Sequence, residues 1–231
     1  RFLSSHSRKP CLKGVVFDMD GTLTVPCLDF AHMRATIFEI AQSDPGFKGN
    51  RDLDILLMIA AMSPAYRIRA ERILKEIEAE GFRRMELMPG VEPLLNFIDN
   101  QRMPRALITR NHQDGVDKLH TLISSPFEIA LTREFQPYKP DPAPLLHICQ
   151  RWKVHPSEVL MVGDSTRHDI VCGRKAGTVT CLLRYDHPLA VATPPAGAPR
   201  PPLDQIPHFT VETLAELIPI LKERFTFSHS R

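Results

Sequence analysis

Short apolar runs alternate with stretches of helical periodicity along the 231-residue chain. The runs are built from β-branched and other apolar residues without a polar break, which is typical of strands buried on both faces of a parallel sheet. Between them, apolar residues recur at the spacing of amphipathic helices. This alternation predicts a doubly wound, mainly parallel α/β core of about six strands. The predicted strands are residues 15–17, 105–108, 127–131, 159–162, 178–183 and 208–211.

The segment from residue 25 to residue 85 has helical periodicity only. Apolar positions from Phe30 to Ala41 form one helical stripe, and residues 53–62 predict a second helix. Ser63 and Pro64 have the residue types of an N-cap and a first helical position, so a third helix is expected after them. We therefore predict a helical cap at residues 25–85, inserted into a core of residues 12–24 and 86–231.

Two further segments fit neither pattern. Residues 1–11 are rich in Ser and Arg and contain no acid, which is typical of a targeting segment or of a disordered tail. Residues 184–207 are rich in Pro and Ala, and so many prolines are incompatible with a central strand. We expect an extended surface loop within the core there.

Composition narrows the class of protein. Charged residues make up 24% of the chain and the net charge is only +2, so no nucleic-acid-binding surface is indicated. No apolar run approaches the ~18 residues of a membrane span. The five cysteines include no closely spaced pair and indicate neither a disulfide framework nor a zinc site. These features predict a soluble intracellular protein, cytoplasmic or mitochondrial, without nucleic-acid or membrane partners.

Three predicted strands end in clusters of polar residues. The carboxyl ends of parallel strands lie at the same edge of a sheet, so we expect the three clusters to meet. Lys139 lies in a loop before a predicted helix and could reach the same edge. The clusters consist of Asp18 and Asp20, then Thr109, Arg110 and Asn111, and finally Asp164 and Asp169.

Four carboxylates at one edge repel one another unless a cation lies between them. Ligation by oxygen alone favours a hard ion, usually Mg²⁺. Such an ion would also neutralise a phosphate, whose oxygens the Thr109 hydroxyl and the Lys139 ammonium could hold. The residues therefore predict a magnesium-dependent phosphoryl-transfer site.

The motifs that carry this site resemble those of the haloacid dehalogenase-like (HAD) hydrolase superfamily. Asp18-Met-Asp-Gly-Thr22 resembles its first motif, Thr109 its second, Lys139 its third, and Asp164 with Asp169 its fourth. The resemblance extends from about residue 12 to the closing helix, and it implies a Rossmann-like core. The helical insert resembles the cap of phosphoglycolate phosphatase-like members. Four residues separate the two acids of the fourth motif, where three are more common.

The resemblance implies a role for each residue. Asp18 would be the nucleophile that forms an aspartyl-phosphate, and Asp20 would be the general acid and base. Thr109 and Lys139 would stabilise the transferring phosphoryl group. Mg²⁺ would be held by Asp18, by the backbone carbonyl of Asp20, and by Asp164 with or without Asp169.

Substrate contacts are less closely defined by the resemblance. Thr109 and Lys139 would bind the phosphoryl group of the substrate, with Arg110 and Asn111 as further candidates. Asn111 could instead cap the helix that follows it. A cap that closes over the sheet edge implies a small phosphorylated metabolite as substrate.

Two other functions remain open at the level of the sequence. A sugar phosphomutase would use the same residues and return the phosphoryl group to a sugar. A regulatory binding protein would keep the fold without turnover, although the intact acids argue against it. The chain could be a monomer or a homodimer.

Overall fold

A computed structural model describes residues 9–185 and 201–227. The chain forms two compact units: a core unit of Arg1–Val25 with Leu87–Arg231, and a helical unit of Pro26–Glu86. Most of the expected tail, residues 1–8, and most of the Pro-rich loop, residues 186–200, lie outside the described residues. Both of those expectations therefore remain predictions.

The core unit is built on a six-stranded parallel sheet, in which the strands that end at residues 131, 108, 17, 163, 183 and 211 lie side by side in that order. Helices flank this sheet, which confirms the predicted doubly wound α/β fold. The strand from residue 14 to 17 lies between the strands that end at Ile108 and Gly163, so the three predicted polar clusters follow three neighbouring strands. The strands are β2 (Gly14–Phe17), β3 (Arg105–Ile108), β4 (Ile129–Leu131), β5 (Val159–Gly163), β6 (Val179–Leu183) and β7 (Phe209–Val211).

Five α-helices belong to the described part of the core unit. They are α4 (Val91–Asn100), α5 (Gln113–His120), α6 (Ala143–Trp152), α7 (Val171–Ala176) and α8 (Leu217–Arg224). The apolar side chains of α6 and α7 bury Val16 of β2 and Met161 of β5 in one cluster on a face of the sheet. Because every residue of β2, β3 and β5 is buried, these three strands form the rigid base from which the polar loops emerge.

A second, two-stranded parallel sheet pairs β1 (Cys11–Leu12) with β8 (Thr226–Phe227). The sequence did not predict this pair, because a two-residue strand is too short to show periodicity.

The helical unit contains α1 (Phe30–Gln42), α2 (Ile55–Ala60) and α3 (Pro64–Phe82). Ser63 is the N-cap of α3 and Pro64 its first residue, as predicted. The second helix is shorter than the expected residues 53–62, because the Asp54 carboxylate accepts a hydrogen bond from the Leu56 N–H and starts the helix at Ile55.

No helix within residues 9–185 and 201–227 combines the length and the apolar character that crossing a bilayer requires.

Candidate active site

The candidate site begins at the carboxyl end of the central strand β2. The Asp18 N–H donates to the Val162 carbonyl of β5 at 2.9 Å, and the chain then turns so that the Leu23 N–H donates to the Met19 carbonyl at 2.8 Å. Gly21 has a φ of 76° in this turn. A Cβ at this position would lie 2.2 Å from Asp164 Oδ2. Both the backbone conformation and the approach of this carboxylate therefore require glycine.

A buried ammonium group joins two of the acids. Lys139 is only 1% exposed, and its Nζ donates to Asp169 Oδ1 at 2.6 Å and to Asp18 Oδ1. Burial alone would lower the pKa of Lys139, but the charges of Asp169 and Asp18 outweigh it and raise that pKa above its usual value. Lys139 is therefore a fixed positive charge at the centre of the site.

Asp169 has partners for both of its oxygens. Its Oδ2 accepts a hydrogen bond from the Ser165 N–H at 2.9 Å, while its Oδ1 faces Lys139. The position of this acid requires Gly163 at the end of β5, because a Cβ there would lie 2.3 Å from Asp169 Cγ. The turn that carries Asp169 is a π-helical turn over Thr166–Ile170.

Three carboxylates converge at this point. Asp18, Asp164 and Asp169 each offer an oxygen, and the three oxygens lie within 4.8 Å of one another. Burial and the charge of Asp169 raise the pKa of Asp18 to about 6, although Lys139 opposes the shift. Burial, together with the charges of Asp18 and Asp169, raises the pKa of Asp164 well above its usual value.

This donor set fits a hard metal ion. Three carboxylates, two of them on buried residues and the third half-buried, carry more negative charge than one ammonium can balance. Oxygen donors are the ligands that hard divalent cations prefer. Gly21 and Gly163 leave the space in which two of these carboxylates lie. The structure therefore brings together three of the four acids that were predicted to hold a metal.

Asp20, the fourth acid, has a different setting. Its carboxylate is not part of the three-carboxylate group, and its Oδ2 accepts a hydrogen bond from Asn111 Nδ2 at 2.5 Å. The hydrogen bond to Asn111 directs the Asp20 carboxylate toward the end of β3. The predicted use of its backbone carbonyl as a metal ligand stays a prediction.

Thr109 lies beside these acids at the end of β3 and is 1% exposed. Its backbone N–H donates to the Leu131 carbonyl of β4 at 2.8 Å, which holds the residue in line with the sheet. The Thr109 hydroxyl oxygen accepts the Asn111 N–H at 3.0 Å. With its oxygen used as an acceptor, the hydroxyl can donate its own hydrogen to a phosphoryl oxygen.

The neighbouring Arg110 connects three loops of the core unit. Its Nη1 lies 3.0 Å from His168 Nε2, and its guanidinium carbon lies 5.4 Å from the centre of the Tyr138 ring. His168 Nδ1 in turn lies 3.2 Å from Ser165 Oγ. Arg110 therefore links the loop after β3 to the loops that carry Lys139 and Asp169.

The expected alternative for Asn111, a helix cap, is wrong. The N-cap of α5 is His112, whose side chain accepts the Asp114 N–H at 3.5 Å. One more residue at the end of the loop is enough to complete the cap, so the amide of Asn111 can turn toward Asp20 instead.

Sequence reasoning missed three residues at this edge. Thr22 Oγ1 donates to Asp18 Oδ2 at 3.4 Å, and the Ser165 N–H donates to Asp169 Oδ2. The third residue is Tyr185, and the negative charge of the nearby Asp164 helps to raise the pKa of the Tyr185 phenol. Burial is the larger cause of the Tyr185 shift. Tyr185 lies two residues beyond the end of β6, so the rule that ligands bind at carboxyl ends could have identified it.

Comparison with known proteins identifies this arrangement. The family model described as haloacid dehalogenase-like hydrolase matches residues 15–183, which include every residue of the site except Tyr185. The chain belongs to the haloacid dehalogenase-like hydrolases. A haloacid dehalogenase-like hydrolase domain-containing protein of Arabidopsis thaliana is 48% identical to this hydrolase over 176 residues, which are 76% of this chain and 72% of the relative.

Two further comparisons cover more of the chain. A phosphoglycolate phosphatase of Vibrio vulnificus is 25% identical over 91% of this hydrolase and 96% of its own length. The crystal structure of a HAD phosphatase from Thermococcus onnurineus superimposes with a TM-score of 0.61 at 20% identity, and covers 93% of this chain and 100% of that one. The resemblance stated from the four motifs is confirmed.

The burial of Lys139 leads to a prediction about stability. In Lys139→Met the ammonium is lost and the buried carboxylates remain without their counter-charge. We expect the free energy of unfolding to fall by about 3–5 kcal/mol in the presence of EDTA, measured by urea denaturation.

Lys13→Met is the matched control, since Lys13 pairs with Glu158 at 2.7 Å where both side chains are partly exposed. We expect a much smaller loss for this variant, because an ion pair that solvent reaches contributes little to stability. Equal losses for the two variants would contradict the structural role assigned to the Lys139 ammonium.

Proposed function

We propose that the protein is a Mg²⁺-dependent phosphatase that hydrolyses a small phosphomonoester through an aspartyl-phosphate on Asp18. One observation carries the proposal: the buried ammonium of Lys139 bridges Asp18 and Asp169, and Asp164 completes a three-carboxylate group beside them. Family membership and the phosphatases among the relatives support the same reaction.

Asp18 is the nucleophile in the first half of the reaction. One carboxylate oxygen attacks phosphorus, an Asp18 O–P bond forms and the P–O bond to the leaving group breaks. Because burial raises the pKa of Asp18, the positive charge of Lys139 is needed to keep the attacking carboxylate ionised.

Asp20 is the general acid and then the general base of the reaction. It gives a proton to the leaving oxygen as the P–O bond breaks, and becomes a carboxylate. It then takes a proton from the water that attacks phosphorus in the second half of the reaction. Phosphate leaves, Asp18 is regenerated and Asp20 is protonated again, so no net proton is gained or lost by the protein.

Mg²⁺ would be held by the carboxylates of Asp18 and Asp164 and by the backbone carbonyl of Asp20. Asp169 is the weaker candidate for direct ligation, because its two oxygens already face Lys139 and the Ser165 N–H. A bound Mg²⁺ supplies positive charge that offsets the repulsion between the carboxylates and the phosphate.

Thr109 and Lys139 are the proposed phosphoryl-binding groups, with Arg110 and Asn111 at the rim of the same edge. Their donors would replace part of the hydration of the phosphoryl oxygens as charge redistributes in the transition state. The name of the Vibrio relative supports a small phosphorylated metabolite as the class of substrate.

The nucleophile is tested with Asp18→Asn. We expect phosphate release from para-nitrophenyl phosphate to fall by roughly a thousandfold or more, because an amide cannot form the intermediate. Asp29→Asn is the matched control, since Asp29 caps α1 and Asn caps a helix equally well. An Asp18→Asn variant as active as the wild type would refute the proposal.

The metal is tested by its effect on stability as well as on activity. We expect EDTA to abolish phosphate release, Mg²⁺ to restore it, and Mg²⁺ to raise the melting temperature of the wild type. Asp164→Asn should lose most of this thermal shift, while Asp169→Asn should retain more of it. Full activity in EDTA would contradict a metal-dependent site.

A further inference from the structure

The side-chain amide of Asn111 contacts Asp20, and the proposed phosphatase reaction assigns no role to this contact. Asn111 is 5% exposed, and its Nδ2 donates to Asp20 Oδ2. The two residues are 91 positions apart in the sequence, and they meet because β2 and β3 are neighbouring parallel strands. A buried polar contact of this kind restricts both side chains to one arrangement.

Both polar groups of the Asn111 backbone, the N–H and the carbonyl, are hydrogen-bonded. Its N–H donates to Thr109 Oγ1 at 3.0 Å, and its carbonyl accepts the Arg133 N–H at 3.1 Å. Because the next residue, His112, caps α5, no capping role competes for the amide. The side chain of Asn111 is therefore directed at Asp20 by its own loop and by the loop after β4.

The direction of the hydrogen bond distinguishes the two oxygens of Asp20. Oδ2 is the oxygen that receives the amide hydrogen and is held against Asn111. An acid can assist a departing oxygen only if the oxygen that carries the proton faces it. Rotation of the carboxyl group about its last bond would change the direction in which the other oxygen faces, and the hydrogen bond to the amide restrains that rotation.

We propose that Asn111 is a positioning residue that orients the Asp20 carboxyl group for proton transfer to the leaving oxygen. The inference rests on the proposed phosphatase function. Asn111 acts on the reaction through Asp20, and it therefore matters most where the leaving oxygen is strongly basic.

The test compares two phosphate esters whose leaving oxygens differ in basicity. Glycerol 2-phosphate releases a strongly basic alkoxide that needs a proton, whereas para-nitrophenyl phosphate releases a weakly basic phenoxide. We expect Asn111→Leu, which keeps the approximate volume without the donor, to lower kcat for glycerol 2-phosphate by roughly 10- to 100-fold. With para-nitrophenyl phosphate, the burst rate of para-nitrophenol reports the first step alone. We expect this rate to fall by a clearly smaller factor, because protonation of the leaving group contributes little to that step.

Thr132→Val is the matched control. Thr132 is also buried, lies beside the residue that binds the Asn111 carbonyl, and donates to Glu134 rather than to Asp20. Any loss in this variant should be equal for the two esters. Asn111→Gln keeps an amide donor. We therefore expect its ratio of the rate for glycerol 2-phosphate to the rate for para-nitrophenyl phosphate to be closer to the wild-type ratio than the ratio of Asn111→Leu is.

The orientation of the Asp20 carboxyl group in crystal structures tests the positioning role of Asn111 independently of phosphatase activity. Crystal structures of the wild type and of Asn111→Leu should show one orientation of the Asp20 carboxyl group in the first and a rotated or divided one in the second. Equal losses in the glycerol 2-phosphate rate and in the para-nitrophenol burst rate, or an unchanged Asp20 orientation in a folded variant, would overturn the positioning role. A wild type inactive on both esters would instead count against the phosphatase function, and the Asp20 orientation would still decide the role of Asn111.

Discussion

The structure depends on how negative charge is balanced at one edge of a buried parallel sheet. Three carboxylates lie together there, and among the described residues the ammonium that contacts two of them directly is that of Lys139. Its long side chain brings a charge from the loop before α6 to the ends of β2 and β5. The same interaction therefore joins the loops, favours the ionised form of Asp18 that the proposed nucleophile requires, and leaves an excess of negative charge that a divalent cation can balance.

The two acids of the first motif illustrate how one short turn separates two roles. Asp18 faces Lys139, while Asp20 faces the amide of Asn111. A charged partner favours the ionised carboxylate, whereas an amide directs a carboxyl group without adding charge. Neighbouring acids given different environments can thus serve as nucleophile and as general acid, a pattern that recurs in enzymes with paired carboxylates. Gly21, which follows these two acids, leaves the space that the Asp164 carboxylate occupies.

Much of this arrangement could be predicted from the sequence, because it follows from periodicity and topology. The apolar run of β2 ends at Asp18, and the parallel-sheet rule places Thr109 and Asp164 at the same edge. What could not be predicted depends on side-chain direction. Helix-cap statistics suggested a structural role for Asn111, yet a one-residue difference in where α5 starts turns its amide toward Asp20. The separation of Asp20 from the other acids is likewise a matter of rotamers, which a spacing pattern does not encode.

The central claim is that Asp18 itself becomes phosphorylated during turnover. The most direct measurement is to quench the enzyme with acid while it turns over para-nitrophenyl phosphate, digest it, and locate the bound phosphoryl group by mass spectrometry. The account predicts a base-labile phosphoryl group on the peptide that contains Asp18, and none on the same peptide from Asp18→Asn. A phosphoryl group on another residue, or rapid turnover by the Asp18→Asn enzyme, would contradict it.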